Sequence, residues 1–139
     1  MKICIVIANY YPKISKNLLT GANKVLLSHD IKDAKKIFVP GIFELPTIIS
    51  KNISSYDAFL ALGCVIKGKT PHFEFISKAA INGIMQLSIT HQKPIGNGIL
   101  TCLNKTQALE RSNPYKKDKG GEAAKAALSV LGILKNESK

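Results

Sequence analysis

Residues 58–66 read Ala-Phe-Leu-Ala-Leu-Gly-Cys-Val-Ile, and residues 67–72 follow as Lys-Gly-Lys-Thr-Pro-His. An apolar run of this length without polar alternation is a strand buried on both faces, the condition of a parallel sheet covered by helices on either side. It falls far short of the ~20 residues that a membrane-spanning helix needs. Gly68 and Pro71 close it. Upstream, Ile3-Cys4-Ile5-Val6-Ile7-Ala8 has the same character, and 35–39 gives a shorter strand closed by Pro40-Gly41. Ile95–Leu100 makes a fourth, with Gly96 and Gly98 expected to interrupt it.

Helical spacing fills the gaps. Ile14, Leu18, Ala22, Val25 and Leu26 mark one helix, and a second is expected across Phe43–Ile53, broken at Ser54-Ser55. Phe73, Ile76, Ala80, Ile84 and Leu87 mark a long third helix ending near His91. Asn104 with Gln107 three residues on is a capping pair opening a helix through Arg111. Ala124, Ala127, Leu128 and Leu131 stripe the last helix. Strands alternating with helices imply right-handed parallel crossovers and a three-layer αβα sandwich. Four strands in such a sheet resemble a doubly wound, flavodoxin-like arrangement, in which ligands bind beyond the carboxyl ends of the strands. That directs attention to Asn9–Tyr11, Pro40–Glu44, Lys67–His72 and Thr101–Asn104.

At 139 residues the chain is the size of one domain, expected to span 1–139, and large enough for a core without staples. With 45% hydrophobic and 21% charged residues it is a globular composition, which excludes intrinsic disorder. The N-terminal apolar run is too short for a signal-peptide core. Cys4, Cys64 and Cys102 are odd in number, far apart and outside metal-ligand spacing. Reduced thiols in a cytoplasm are therefore expected, with no disulfide framework or metal site. Of the 20 basic residues behind the +11 net charge, only Arg111 is an arginine. Phosphate and base readers rely on arginine forks, so the lysine excess reads as compositional bias and no nucleic-acid partner is expected.

Gly63-Cys64-Val65-Ile66-Lys67-Gly68-Lys69-Thr70 matches the nucleotide-binding pattern GxxxxGK[ST] and lies between a strand and a helix. Its Cys-Val-Ile interior continues the strand, however, where a phosphate-cradling loop needs small residues to form an anion nest. No later strand ends in an Asp able to hold Mg²⁺. The match is therefore rejected as a triphosphatase signature, leaving Lys69 and Thr70 at a helix N-terminus that favours a phosphate. Pro71 suits the first helical position, with Thr70 as its cap. His72 lies in the first turn, the one histidine placed to act as a base. Alternatively, it merely lines a helix end. His29 and His91 sit in last turns, a comfortable structural place.

Val39–Pro46 brings backbone donors and the Glu44 carboxylate to a strand end; a Pro-Gly turn with a dipole-stabilising Glu would look the same. Tyr10 and Tyr11 either stack on a flat heterocycle or pack at a rim. Arg111 and Lys119 flank the Asn113-Pro114-Tyr115 turn, in a basic loop that is either functional or simply solvated.

Five segments together resemble the lumazine synthase family: VPGIFELP at 39–46, LGCVIKGKTPHFEFI at 62–76, GILT at 98–101, QALER at 107–111 and DKGGEAA at 118–124. The resemblance runs from Lys2 to Leu134. It implies condensation of 5-amino-6-(D-ribitylamino)uracil with 3,4-dihydroxy-2-butanone 4-phosphate, without cofactor or metal. It also implies site roles. Tyr10 would stack on the pyrimidine; Ile42, Phe43 and Glu44 would hold the ribityl chain; Cys64, Val65 and Ile66 would line the uracil. Lys69, Thr70 and Arg111 would bind the phosphate, His72 would shuttle protons, and Lys119 and Asn97 would lie beside the heterocycle. The resemblance further implies a homopentamer or a multiple of it, with sites between subunits. Three positions depart from the family's usual residues: Tyr10 replaces Phe or Trp, Lys67 replaces Arg, and Asn97 replaces Phe.

Overall fold

The structure, a computed structural model, describes residues 1–137. Its elements run β1 (Ile3–Ala8), α1 (Pro12–Ser28), β2 (Lys35–Val39), a 3₁₀ turn (Ile42–Glu44), α2 (Leu45–Asn52), β3 (Ala58–Ile66), α3 (His72–His91), β4 (Ile95–Cys102), α4 (Lys105–Ser112) and α5 (Lys119–Glu137). The four strands form one parallel sheet in the order β2-β1-β3-β4.

Burial on both faces of the central strands makes the layers. In β1, Ile3, Ile5 and Ile7 join Ile14, Leu18 and Leu26 of α1 and Ala124 and Leu131 of α5 in one core. The alternate residues Cys4, Val6 and Ala8 join Leu45 and Ile49 of α2 and Ala80 and Ile84 of α3 in a second. The three-layer sandwich therefore follows directly from the unbroken apolar character of β1 and β3. The chain steps from β1 to β2 on one side and from β3 to β4 on the other. The carboxyl ends of β1 and β3 thus flank the point where the winding reverses, where a crevice opens.

Three local expectations are corrected. β4 is continuous and runs to Cys102, so Gly96 and Gly98 do not interrupt it. They let α5 and the neighbouring strand come close: a Cβ on Gly96 would lie 2.2 Å from the Ala123 carbonyl oxygen. The helix expected over Phe43–Ile53 is divided into a 3₁₀ turn and α2, because Pro46 in the first turn has no N–H to continue a single ladder. Thr70 is not the cap of α3. The Pro71 carbonyl accepts the first helical bonds, from the Glu74 N–H at 3.2 Å and the Phe75 N–H at 3.4 Å.

The Asn104 cap forms as expected, its Oδ1 accepting from the Gln107 N–H at 2.9 Å, while Gln107 Oε1 accepts from the Leu103 N–H. The triphosphatase pattern is excluded by geometry as well. Gly63, Cys64, Val65 and Ile66 are all in register with β4 and cannot curl into a nest.

Candidate active site

The crevice at the reversal point is a cleft of about 480 Å³. Tyr10 enters from the end of β1, Ile42, Phe43 and Glu44 from the turn after β2, Cys64, Val65 and Ile66 from the end of β3, and Thr70 and His72 from the entry to α3. Four separate segments of sequence converge there because parallel strands deliver all their carboxyl ends to one side of the sheet. Tyr11, Pro40, Gly41, Gly68, Phe73 and Ile76 complete the lining.

The turn after β2 settles onto β3 because residue 63 is glycine. A Cβ there would stand 2.8 Å from that of Ala8 and 2.9 Å from Ile42 Cγ2. Glu44 is held by the same turn, one carboxylate oxygen accepting the Gly41 N–H at 2.9 Å. The Tyr10 ring is 72% exposed, free to take a flat ligand on its face. Tyr11 meets it edge-on, with ring centroids 4.9 Å apart and planes at 76°, a favoured aromatic geometry. Burial raises the Tyr11 phenol above its ordinary value, with Tyr10 and Cys64 adding to the effect.

Cys64 is a neutral wall. Burial, together with Cys102 beside it, pushes its thiol up to about 12, against the opposing pull of Arg111. It is accordingly no nucleophile at neutral pH. The His72 imidazole is exposed at the start of α3, and no hydrogen bond within the described residues occupies it. By contrast, His29 Nδ1 lies 3.0 Å from the Val25 carbonyl and 3.2 Å from Ser28 Oγ, in the structural setting expected of it.

The other residues expected at the site lie elsewhere. Asn97, Arg111 and Lys119 line a groove of about 590 Å³ along the free edge of β4, and it shares no lining residue with the cleft. Arg111 Nη1 donates to the Thr101 carbonyl at 3.3 Å and approaches Cys102 Sγ at 3.7 Å. Lys119 opens α5 directly after Asp118. There the backbone takes φ 47°, and the carboxylate caps the Gly121 N–H at 3.1 Å. Lys119 Nζ pairs with Glu122 Oε2 at 3.0 Å, and Glu122, absent from the sequence expectations, lines the same groove. Its i,i+3 spacing to Lys119 was the available signal. Lys69 faces neither. It borders a separate hollow of about 220 Å³ with Lys67 and Glu74, on a loop whose Gly68 and Thr70 do reach the cleft.

A doubly wound parallel sheet with an apolar cleft at its reversal point, an aromatic platform on one wall and an unoccupied imidazole at a helix start defines an α/β enzyme of small-molecule substrates. The 6,7-dimethyl-8-ribityllumazine synthase family model matches residues 1–135. The chain is 43% identical over 136 residues to the 6,7-dimethyl-8-ribityllumazine synthase of Bartonella tribocorum, covering 96% of this chain and 89% of that one. It is 40% identical to the enzyme of the same name from Cutibacterium acnes, with 96% and 82% covered, and 40% identical to that of Sulfurimonas denitrificans, with 97% and 90% covered. The chain belongs to the 6,7-dimethyl-8-ribityllumazine synthase family and is an enzyme, a transferase of riboflavin biosynthesis. No helix of the described residues is long and apolar enough to cross a membrane.

Proposed function

We propose that this chain condenses 5-amino-6-(D-ribitylamino)uracil with 3,4-dihydroxy-2-butanone 4-phosphate to give 6,7-dimethyl-8-ribityllumazine, phosphate and two waters. The reaction occurs at sites shared between adjacent copies of the chain in a cytoplasmic homopentamer or a multiple of it. The observation that carries this reading is the separation of the site residues. One end of the sheet holds a cleft with Tyr10, Glu44, Thr70 and His72, and the free edge of β4 holds a groove with Arg111, Lys119 and Asn97. Each half lacks what the other has, and a head-to-tail ring sets the groove of one copy against the cleft of the next. Phe75, Met85 and Ile89 on α3 are large exposed apolar side chains; their burial between copies supports association.

In this assembly Tyr10 takes the pyrimidine on its face. Ile42, Phe43 and Glu44 hold the ribityl chain, and Cys64, Val65 and Ile66 form the uracil wall. The 5-amino nitrogen adds to the ketone carbon and loses water to give an imine. His72 then takes the proton from the neighbouring hydroxyl-bearing carbon as the phosphate leaves the terminal carbon, and the enol so formed takes up a proton at that terminal carbon and gives up its O–H proton, leaving a methyl ketone. The ribitylamino nitrogen closes onto the carbonyl so formed, with loss of the second water. The leaving phosphate is received by Thr70 and the start of α3, where helix N–H groups favour an anion, and by the neighbour's Arg111. Lys69 adds positive charge beside that loop, and the neighbour's Lys119 lies beside the heterocycle.

The test is a cofactor-free assay of the purified chain with both substrates, following lumazine fluorescence against the spontaneous background. The expected result is a rate well above background that falls ~10²–10⁴-fold in His72→Ala, the usual worth of a positioned base. A folded, oligomeric chain with no rate above background would refute the activity.

A further inference from the structure

A further hollow, of about 340 Å³, opens at the amino ends of β1 and β2, the opposite end of the sheet from the cleft. Its floor is aliphatic: Ile31 and Leu131 are buried, Leu128 packs against the same core, and Gly132 completes it. No Phe or Tyr lines it, so it lacks the platform on which a flat heterocycle would stack. Gly132 is the informative residue. It sits inside α5, where glycine is a poor helix former, and its φ is not positive. A Cβ on it would meet nothing within 4 Å, whereas one on Gly120 of the same helix would strike the Leu18 carbonyl. Neither backbone conformation nor packing within the described residues asks for glycine at 132. What the missing side chain leaves is open depth in the hollow.

The charge at the rim has one sign. Lys125, Ser129 and Gly132 follow one another on one face of α5, with Lys135 beyond them. Neither lysine has an ion-pair partner among the described residues, and Glu122, one turn before Lys125, is engaged by Lys119. The charge of Lys135 acts on Asp57, which also accepts the Lys2 N–H at 2.7 Å. The unanswered cation therefore stands at the Lys125 end. We infer that this hollow binds a medium-length aliphatic carboxylate, its alkyl chain lying over Leu128 and Gly132 and its carboxylate meeting Lys125 and the Ser129 hydroxyl. Lys125 and Gly132 lie roughly 10 Å apart along α5, the reach of such a chain. The site is separated from the cleft by the length of β1, roughly 20 Å, and is independent of the activity proposed above.

The probe is decanoate, kept below micelle-forming concentrations, titrated into the full chain by calorimetry. One decanoate is expected to bind per chain, with 1-decanol, which brings no charge, bound more weakly. A basic chain attracts any anionic amphiphile, so the deciding variant leaves the charge alone. Gly132→Leu places a good helix former in the open space and should weaken decanoate at least about tenfold, the worth of about two methylenes kept from apolar contact. Gly132→Ala, which fills less of the hollow, gives a smaller loss in the same direction. Lys125→Gln removes an exposed cation and should weaken binding about two- to fivefold, and Lys135→Gln less. The absence of saturable binding to the wild-type chain would overturn the inference. So would binding that both Gly132 variants leave unmoved, which is attraction to surface charge alone. A Gly132→Leu chain whose assembly changes mass, with no decanoate bound by the wild type, makes the hollow a contact between copies and likewise overturns it. A wild-type chain that binds decanoate in the expected pattern and forms no lumazine refutes the activity and supports this site.

Discussion

Co-expression of His72→Ala and Arg111→Ala chains tests the division of the site between subunits. The first lacks the imidazole of the cleft and keeps the groove; the second lacks the guanidinium of the groove and keeps the cleft. In a head-to-tail ring every site takes its cleft from one copy and its groove from the next. With equal amounts of the two chains assembling at random, an intact cleft meets an intact groove at roughly one interface in four. Each variant alone is expected near background when the butanone phosphate is kept below its KM, so the mixture should recover about 25% of the wild-type rate per chain. The recovery follows the product of the two chain fractions, falling to about 19% at a ratio of three to one. Distinguishable tags on the two chains fix the ratio by mass spectrometry, and lumazine fluorescence gives the rate. A site complete within one chain predicts no recovery at any ratio. A mixture no faster than the average of its components would refute the shared site while leaving the activity of the wild-type chain standing.

Two further outcomes follow from particular side chains. Gly96→Ala should lower the thermal midpoint, because the added methyl meets the Ala123 carbonyl oxygen at 2.2 Å, an overpacking that costs about 1–3 kcal/mol. Gly132→Ala, inside α5 with nothing within 4 Å of its Cβ, should raise it through about 0.5–1 kcal/mol of helix propensity. Equal midpoints for the two variants would contradict the packing of α5 on β4. The cysteines should resist iodoacetamide at pH 8 in the native protein and react on unfolding, because burial pushes Cys4 up to about 11 and Cys64 to about 12, against 9.0 for a free thiol. The folded values are the raised ones, so their contribution to stability is complete below pH 9 and is lost as pH climbs through 11 and 12. Rapid native labelling at pH 8 would show that the thiols are not held in this way.

Much of the architecture was written in local pattern. The apolar runs at 3–8 and 58–66 are long enough, and free enough of polar alternation, that only a sheet covered on both faces satisfies them. The spacing of Ile14, Leu18, Ala22 and Val25 then requires a covering helix. The failures have different causes. Gly96 and Gly98 look like breaks in a strand because a sequence does not show the Ala123 backbone that presses on them. Thr70 has the chemistry of a cap, but the turn through Pro71 brings that residue's carbonyl to the helix start and aims Thr70 at the cleft.

For the site, the sequence by itself marked which residues have the chemistry to serve it. A lone arginine in a lysine-rich chain, a histidine just after a strand-to-helix crossing, and a Pro-Gly turn with one carboxylate are chemical types at recognisable spacings. Tertiary structure alone decided where they face. Position at the centre or the edge of a sheet depends on strand order, which comes from right-handed crossovers and burial summed over the whole chain. The order β2-β1-β3-β4 places the ends of β1 and β3 together at the centre and leaves β4 as a free edge. His72 and Arg111, linked by one motif pattern along the chain, are thereby put in separate hollows of one copy, the division from which the shared site is proposed.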